Sequence, residues 1–404
     1  MAVMRVVRVP VESSERPRIE VAVLGGEGLP SQLWFLPTRD LAGSGCSVGN
    51  AALLALLLPA MRQSTDLRLD LPVSSALLES VAGPLQSILL VAYPRILNRV
   101  SITADARATE RPPLSGSTTG FSGGVDSFYT IESFHLRQNV SDERKIRGVM
   151  LGNVGGFGFV DASQSRFRER LISNSRIAGE MGLDVLGIDS NLDSFYASGT
   201  YTASHSLRNA ALAHLMDGEV GRYLYSAGTL DSEVVTHSPA DIAYIDPIVL
   251  PLLSSGTLVT ESVGADVNRA EKTSRISHIP QAQRGLDVCV VFPEDRVNCS
   301  RCYKCLRTLL TLEILGRLDD FATMFDLDAY WWERPSYVAR VLAGSDPFDL
   351  QILNLAKDRC FVVDGYDRKE LLKSRLRRVA RDAYRHAGRP GSELLDSWRA
   401  RDKY

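Results

Sequence analysis

From Gly120 onward, short apolar segments alternate with longer helical ones, and this alternation constrains the fold more than any other feature of the chain. The strand patterns lie at 147–151, 183–188 and 223–226, and the helical patterns lie at 164–181 and 204–216. Strands joined by helices of this length need crossover connections, which produce a parallel sheet covered by helices on both faces. The sequence therefore predicts an α/β core built on a parallel sheet.

Residues 1–115 predict a separate α+β domain, and the sequence does not reveal its role. Residues 65–73 alternate strictly between apolar and polar side chains, which is typical of a half-buried strand. Further patterns predict strands at 19–24 and 100–104, a helix over 47–63 capped by Ser47, and a helix over 75–93 weakened at Gly83-Pro84. A linker at 107–119, rich in Arg, Pro, Ser, Thr and Gly, ends this part of the chain.

The length of 404 residues favours two or three domains. The predicted divisions are the N-terminal α+β domain at 1–115, the α/β domain at 116–285, a four-cysteine site at 286–312 and a helical C-terminal region at 313–404.

Composition and charge exclude several classes of protein. Apolar residues make up 45% of the chain, and 46 basic against 48 acidic residues give a net charge of −2, too little for a whole-protein field that attracts nucleic acid. The longest apolar stretch, 51–61, contains Pro59 and is shorter than the ~20 residues of a membrane-spanning helix. No signal peptide is visible at the N-terminus. We therefore predict a cytoplasmic protein without a membrane contact.

Residues 122–127, Ser-Gly-Gly-Val-Asp-Ser, follow a weak strand pattern at 118–121 and precede an apolar helix. We call them the glycine loop. Two adjacent glycines let backbone N–H groups approach an anion, and the helix N-terminus adds further donors. Ser122 and Ser127 supply hydroxyls, and Asp126 can help to hold Mg²⁺. The loop therefore predicts a polyphosphate site, with an ordinary glycine turn and helix cap as the alternative. It is not a Walker A loop, because the Gly-Lys-Ser/Thr ending is missing.

Four of the six cysteines form a second motif, which we call the cysteine cluster: Cys289, Cys299, Cys302 and Cys305. Four thiolates at such short spacings satisfy a closed tetrahedral zinc site, which leaves no position open for catalysis. An Fe–S cluster is the alternative, although the ferredoxin continuation to a further Cys-Pro is absent. Nearby basic residues can offset the negative charge of a zinc tetrathiolate: Arg296, Arg301, Lys304 and Arg307.

The glycine loop resembles the PP-loop of the ATP pyrophosphatase superfamily, whose members cleave ATP between the α- and β-phosphates and transfer AMP to a substrate oxygen. The resemblance implies an adenine nucleotide α-hydrolase-like core over 116–285, with ATP and Mg²⁺ as cofactors. It also implies that the leaving pyrophosphate is held by Ser122, Gly123, Gly124, Asp126 and Ser127, of which Asp126 and Ser127 are the candidate catalytic residues.

The cysteine spacing is similar to that of the zinc site of 7-cyano-7-deazaguanine synthases, from queuosine biosynthesis. Arg208-Asn209 resembles a helix start of that family, and 267–271 resembles its Leu-Thr-Lys-Ala-Glu segment, with Arg269 in the nucleotide-binding Lys position. The resemblance covers about 120–312 and fails at 152–158 and 228–247. It implies an ATP-dependent carbon–nitrogen ligase that adenylates a small-molecule carboxylate, such as a deazapurine, and couples it to ammonia or an amine.

Two other functions stay open. One is a PP-loop sulfur transferase acting on RNA, in which the cysteines hold an Fe–S or persulfide site. The other is a non-catalytic nucleotide-binding subunit. The basic segment 368–389 has one apolar side, so it is either a helix docked on the surface or a contact for RNA or protein. A homodimer is among the oligomeric states that the sequence leaves open.

Overall fold

The computed structural model describes residues 2–9, 17–107, 111–157, 160–239, 241–291, 293, 296–344 and 346–362, with the backbone alone for 160–162. The basic segment 368–389 lies outside these residues. The chain divides into two compact units. Unit 1 comprises Met1–Ser122 and Thr130–Asp266, and unit 2 comprises Gly123–Tyr129 and Val267–Tyr404.

The strands are β1 (Val3–Arg8), β2 (Ile19–Leu24), β3 (Gln32–Pro37), β4 (Asp66–Ser74), β5 (Ile102–Arg107), β6 (Ser117–Gly120), β7 (Ile146–Gly152), β8 (Val185–Ser190), β9 (Arg222–Ser226) and β10 (Val259–Val263). The α-helices are α1 (Ser47–Gln63), α2 (Ser75–Ser80), α3 (Gln86–Ala92), α4 (Val125–Ile131), α5 (Val160–Gly179), α6 (His205–His214), α7 (Asp246–Val249), α8 (Arg269–Ile276), α9 (Pro280–Gly285), α10 (Tyr303–Ile314), α11 (Leu327–Leu342) and α12 (Pro347–Asp358). Single π-helical turns occupy Val81–Leu85 and Glu132–Leu136, and short 3-10 turns occupy Leu192–Phe195, Tyr201–Ala203, Asp231–Glu233, Ile242–Ile245, Leu250–Leu253 and Asp319–Phe321.

Unit 1 is built on one mostly parallel sheet of ten strands, in the order β10-β9-β6-β7-β8-β3-β2-β1-β4-β5. The α/β class predicted from the sequence is therefore confirmed. The strands of 1–115 extend the same sheet, because β3 pairs antiparallel with β8. The predicted division at 115–116 falls inside unit 1.

Within this sheet, β6 to β10 have a topological switch point. The chain passes from β6 outward to β7 and β8 and then returns to β9 on the other side of β6, and all these neighbours are parallel. In open α/β sheets, ligands bind beyond the carboxyl ends of the strands at the point where the order reverses. In this sheet the order reverses between β6 and β9.

Helix α1 explains the most apolar stretch of the sequence. It packs against β4 and α6 in the core of unit 1, and Leu53, Leu54 and Leu56 have no exposed surface. A helix that is apolar all round is one that is buried on all sides. The predicted boundaries 47–63 are confirmed, although Ser47 is the first helical residue and Cys46 occupies the cap position.

The predicted helix over 75–93 is present as α2, one π turn and α3. The π turn contains Pro84, which has no N–H to donate to the helical ladder. Among the described residues, the 18-residue segment Ser75–Ala92 is long and apolar enough to cross a membrane, contrary to the expectation of no such segment. Core helices pass the same test, and Leu77, Val81, Leu85 and Leu89 are fully buried in the core of unit 1.

Strands β1, β3 and β10 were not predicted. β1 has the sequence Val-Met-Arg-Val-Val-Arg and buries Met4 and Val6, so its alternation is broken by an extra apolar residue. β10 lies at the edge of the sheet and is rich in polar residues. Unit 2 is helical in its described part, and α10 packs against α8, α11 and α12, which supports the predicted helical region as far as residue 362.

The junction between β3 and β8 gives a stability prediction. The Asn191 side chain accepts from the Trp34 N–H at 2.9 Å and donates to the Gln32 carbonyl at 2.7 Å. We expect Asn191→Ala to lower the free energy of unfolding by about 1–3 kcal/mol, because it leaves the Trp34 N–H without its partner. Urea denaturation measures the loss. Asn191→Asp keeps the acceptor and is expected to lose less; an equal loss in both variants would contradict this account.

Candidate functional site

The glycine loop is a tight turn that leads directly into α4. Gly123 has a φ of +77°, a left-handed conformation that favours glycine, and its carbonyl accepts from the Asp287 N–H at 2.8 Å. The Gly124 carbonyl accepts from the Ser127 hydroxyl at 2.9 Å and from the Phe128 N–H at 3.0 Å. These bonds fix the turn from both ends and place Asp126 in the first turn of the helix.

The Asp126 carboxylate faces positive side chains of α8. It forms ion pairs with Arg269 and, at 3.4 Å, with Lys272. The two cations are three residues apart and so lie on one face of the helix. Asn268 caps α8 by accepting from the Glu271 N–H at 2.9 Å, which is why the helix begins at Arg269.

Two further cations, Lys304 and Arg307, come from α10. Burial alone would raise the pKa of Asp126, but the positive charges of Arg269, Lys272, Arg307 and Lys304 lower it below its usual value. Burial and the neighbouring Arg269 charge lower the pKa of Arg307 to about 10. We call these four basic residues the cation cluster.

Arg307 has an unusual environment for a charged side chain. It is 6% exposed, it lies over the Phe348 ring at 3.8 Å, and its Nε has no hydrogen-bond partner among the described residues. The Nε of Arg269 is also buried and has no hydrogen-bond partner among the described residues. Buried charges are normally paired, because an uncompensated one costs several kcal/mol. Four basic side chains near one carboxylate concentrate positive charge in a largely buried place, and such a concentration can bind a polyanion.

The structure places the sequence-predicted residues of this site as follows. Asp126 and Arg269, more than 140 positions apart, are in contact. Gly123 and Gly124 form the turn, and the Ser127 hydroxyl donates a hydrogen bond to the Gly124 carbonyl. Ser122 is exposed and belongs to unit 1.

The sequence interpretation missed three members of the cation cluster. Lys272 could have been found from its spacing to Arg269 on one helix. Lys304 and Arg307 were assigned to the charge balance of the cysteines, whereas their charges act on Asp126.

Arg208, which resembles a family helix start, lies in unit 1 and has no exposed surface. Its guanidinium donates to the Val154 carbonyl at 2.7 Å and to Asp193 at 2.6 Å. A side chain at Gly155, whose φ is +101°, would collide with both Asp193 and Arg208. Arg208 therefore holds the loop after β7, which is the segment in which the family resemblance fails.

The cysteine cluster is compact. The four sulfur atoms lie within 4.8 Å of one another, with 3.5 Å between Cys302 and Cys305 and 4.0 Å between Cys299 and Cys305. Zinc–sulfur bonds of about 2.3 Å in a tetrahedron place the sulfurs about 3.8 Å apart. The group could therefore hold a single tetrahedral ion such as zinc.

Asn298 anchors the turn that carries these cysteines. It is fully buried, donates to the carbonyls of Leu286 and Met324 at 2.8 and 3.1 Å, and accepts from the Val288 N–H at 2.9 Å. Ser300 has a φ of +58°, which turns the chain between the second and third cysteines. The cluster is thus tied to 286–288, and residue 287 in turn holds the glycine loop.

Comparison with known proteins adds no relative: no family model matches the chain, and neither does any curated protein.

Metal content gives a direct prediction. We expect the purified chain to carry one zinc ion, and Cys305→Ser to lose it, because three thiolates and a hydroxyl bind zinc more weakly than four thiolates. Elemental analysis measures the metal. Cys46→Ser, which changes a cysteine outside the cluster, is the control and should keep the zinc. Iron with a brown chromophore would contradict the prediction.

The lowered pKa of Asp126 gives a pH prediction. A carboxylate with a depressed folded pKa stabilises the protein above its unfolded pKa of about 3.9, and this stabilisation is lost as the pH falls through the folded pKa. We expect Asp126→Asn to cost about 1.5–3 kcal/mol at pH 7, because the cations lose their counter-charge. The two proteins should converge in urea denaturation below pH 4. A difference that persists undiminished at acidic pH would contradict this role.

Proposed function

We propose that the chain is an ATP-dependent, AMP-forming ligase that adenylates a carboxylate and couples it to ammonia or an amine. The observation that carries this proposal is the buried Arg307 beside Arg269, each with an unpartnered Nε, in the same unit as the glycine loop. Such a concentration of positive charge at a glycine turn suits an anion with more than one negative charge. The resemblance to the PP-loop supports pyrophosphate as that anion.

In this reaction a carboxylate oxygen of the substrate attacks the α-phosphorus of ATP. An O–P bond forms, the bond between Pα and the bridging oxygen breaks, and pyrophosphate leaves with its added negative charge. The cation cluster is suited to stabilise that charge as it develops, which lowers the barrier without a protein nucleophile. Asp126 keeps Arg269 and Lys272 oriented, so that less reorganisation is needed when ATP binds. Mg²⁺ bound to the polyphosphate would supply further charge neutralisation.

The order of elements along the chain supports the same proposal. The glycine loop follows β6 and leads into α4. A strand followed by a glycine turn and a helix N-terminus is typical of phosphate sites in α/β proteins. The acceptor substrate, deazapurine or other, stays a proposal.

The cysteine geometry bears on the sulfur-transferase alternative. An Fe–S cluster places several iron and sulfide atoms between its thiolates and keeps them further apart than a single ion does. Sulfur distances of 3.5 and 4.0 Å therefore favour a single structural ion. The proposed cofactors are accordingly ATP, Mg²⁺ and Zn²⁺, and the proposed location is the cytoplasm.

Pyrophosphate exchange tests the proposal. We expect the protein, supplied with ATP, Mg²⁺ and a panel of carboxylic acids that includes carboxylated deazapurines, to exchange labelled pyrophosphate into ATP with at least one acid. With ammonium present, the products should be AMP and pyrophosphate. Formation of ADP in place of AMP would overturn the proposal.

The Arg307→Met variant distinguishes an effect on pyrophosphate binding from an effect on folding stability. We expect the affinity for inorganic pyrophosphate to fall at least tenfold in calorimetry, because the anion loses a charged donor. Thermal stability without ligand should stay equal or rise, because an uncompensated buried charge is removed and the side-chain volume is largely kept. Arg340→Met is the matched control, since Arg340 is half-exposed and paired with Asp346 at 2.6 Å. Equal affinity in both variants would contradict the assigned role.

A further inference from the structure

Asp246 and Tyr93 are two of the residues of unit 1 that bury a polar atom without a partner. The Oδ2 of Asp246 and the hydroxyl of Tyr93 are buried and have no hydrogen-bond partner among the described residues. Asp246 is 1% exposed and Tyr93 is 5% exposed. Burial, followed by the negative charges of Asp241 and Asp246, raises the pKa of Tyr93, so these groups act on one another. Orphaned buried polar atoms are rare in folded proteins and mark a place for water, an ion or a ligand.

A hydrogen-bonded chain leads from Asp246 to a partly exposed carboxylate. Ser206 donates to the Oδ1 of Asp246 at 2.5 Å, and its oxygen lies 3.2 Å from the Nδ1 of His205. The same Nδ1 lies 2.5 Å from the Tyr225 hydroxyl. The Nε2 of His205 lies 2.8 Å from Asp241, whose side chain is 37% exposed. We call Tyr93, His205, Tyr225, Asp241 and Asp246 the acidic network.

The fold places this network at the carboxyl end of a strand. Tyr225 is the penultimate residue of β9, His205 begins α6, and Asp246 begins α7. β9 is the second strand of the switch point, so the network lies where ligands bind in sheets of this class.

The charges of the network favour a cationic ligand. It contains two carboxylates and one imidazole, and the nearest guanidinium, Arg208, is already paired with Asp193 at 2.6 Å. Burial raises the pKa of Asp246 to about 6, while the charge of His205 and the Ser206 hydroxyl act in the opposite direction. Tyr201 and Tyr223 also face the network, and neither brings a positive charge.

We propose that the acidic network binds a small protonated amine, with the ammonium group donating to Asp246 Oδ2 and Tyr93. A bound ammonium can transfer one proton to the Asp246 carboxylate: an N–H bond breaks, an O–H bond forms, and the neutral amine remains. The surrounding tyrosine rings suit an organic ammonium as well as the ammonium ion.

Ammonium binding can be measured without knowing the acid substrate. The chain has six histidines, so ring signals of ¹³C-labelled histidine can be assigned by substitution. We expect ammonium chloride and methylammonium chloride to shift the His205 signal saturably, with a midpoint in the millimolar range. Potassium chloride at equal ionic strength should not. His214, buried with its Nε2 2.8 Å from the Leu253 carbonyl, is the internal control and should not shift.

Two variants make the test decisive. Asp246→Asn removes the negative charge, and we expect ammonium binding to weaken at least tenfold. Tyr93→Phe removes only a hydroxyl that has no partner, so it should fold normally and weaken binding severalfold. Asp142→Asn, at an exposed carboxylate of the same unit, is the matched control and should bind as the unaltered protein does. Equal shifts with potassium, or unaltered binding in both network variants, would overturn the proposal.

This outcome is separable from that of the proposed function, because ammonium binding is measured without ATP and without any acid. Absence of pyrophosphate exchange would overturn the ligase proposal alone, and absence of saturable ammonium binding would overturn the amine site alone.

Discussion

One carboxylate surrounded by excess positive charge organises the described part of unit 2. Asp126 is carried by the turn that follows the glycines, and it contacts cations from α8 while α10 supplies two more. The like charges of the cation cluster repel one another. The cluster is stable because Asp126 offsets part of the charge and because packing holds α10 against α8. In the proposed function, a bound polyanion adds the negative charge that this cluster lacks.

Helix α10 links the two motifs of unit 2. Cys302 is the cap residue before it, Cys305 lies in its first turn, and the first two turns carry Lys304 and Arg307. The segment before Cys289 supplies the N–H that holds the Gly123 carbonyl. A structural ion bound by the cysteines would thus hold both α10 and the glycine loop in place, on two sides of the proposed anion site.

The sequence predicted the parts of the fold that depend on local patterns. The alternation of strands and helices after Gly120 yielded β7, β8, β9, α5 and α6 within a few residues, and the glycine loop was found at a strand-to-helix junction. Pairing between distant segments could not be predicted, because a strand pattern such as that of residues 65–73 does not indicate which strands it pairs with. For the same reason, only part of the candidate site could be predicted from the sequence. Asp126 was selected from the composition of the loop and Arg269 by resemblance, whereas Lys304 and Arg307 become recognisable as neighbours of Asp126 only when α8 and α10 are packed together. The acidic network could not be predicted as a group, since Tyr93, His205 and Asp246 are brought together by tertiary structure alone.

The pairing of β3 with β8 has a consequence for any shortened form of the chain. Three backbone positions of β8, from Ile188 to Ser190, are matched by β3, and the N-terminal strands continue the sheet beyond it. Without those strands, β8 would become an open edge with unsatisfied N–H and C=O groups, and helix α6 would lose the apolar cover of α1. Open edges of this kind recruit strands from other molecules. A chain trimmed to the α/β segment would consequently be prone to aggregation, and the N-terminal third acts as its built-in protection.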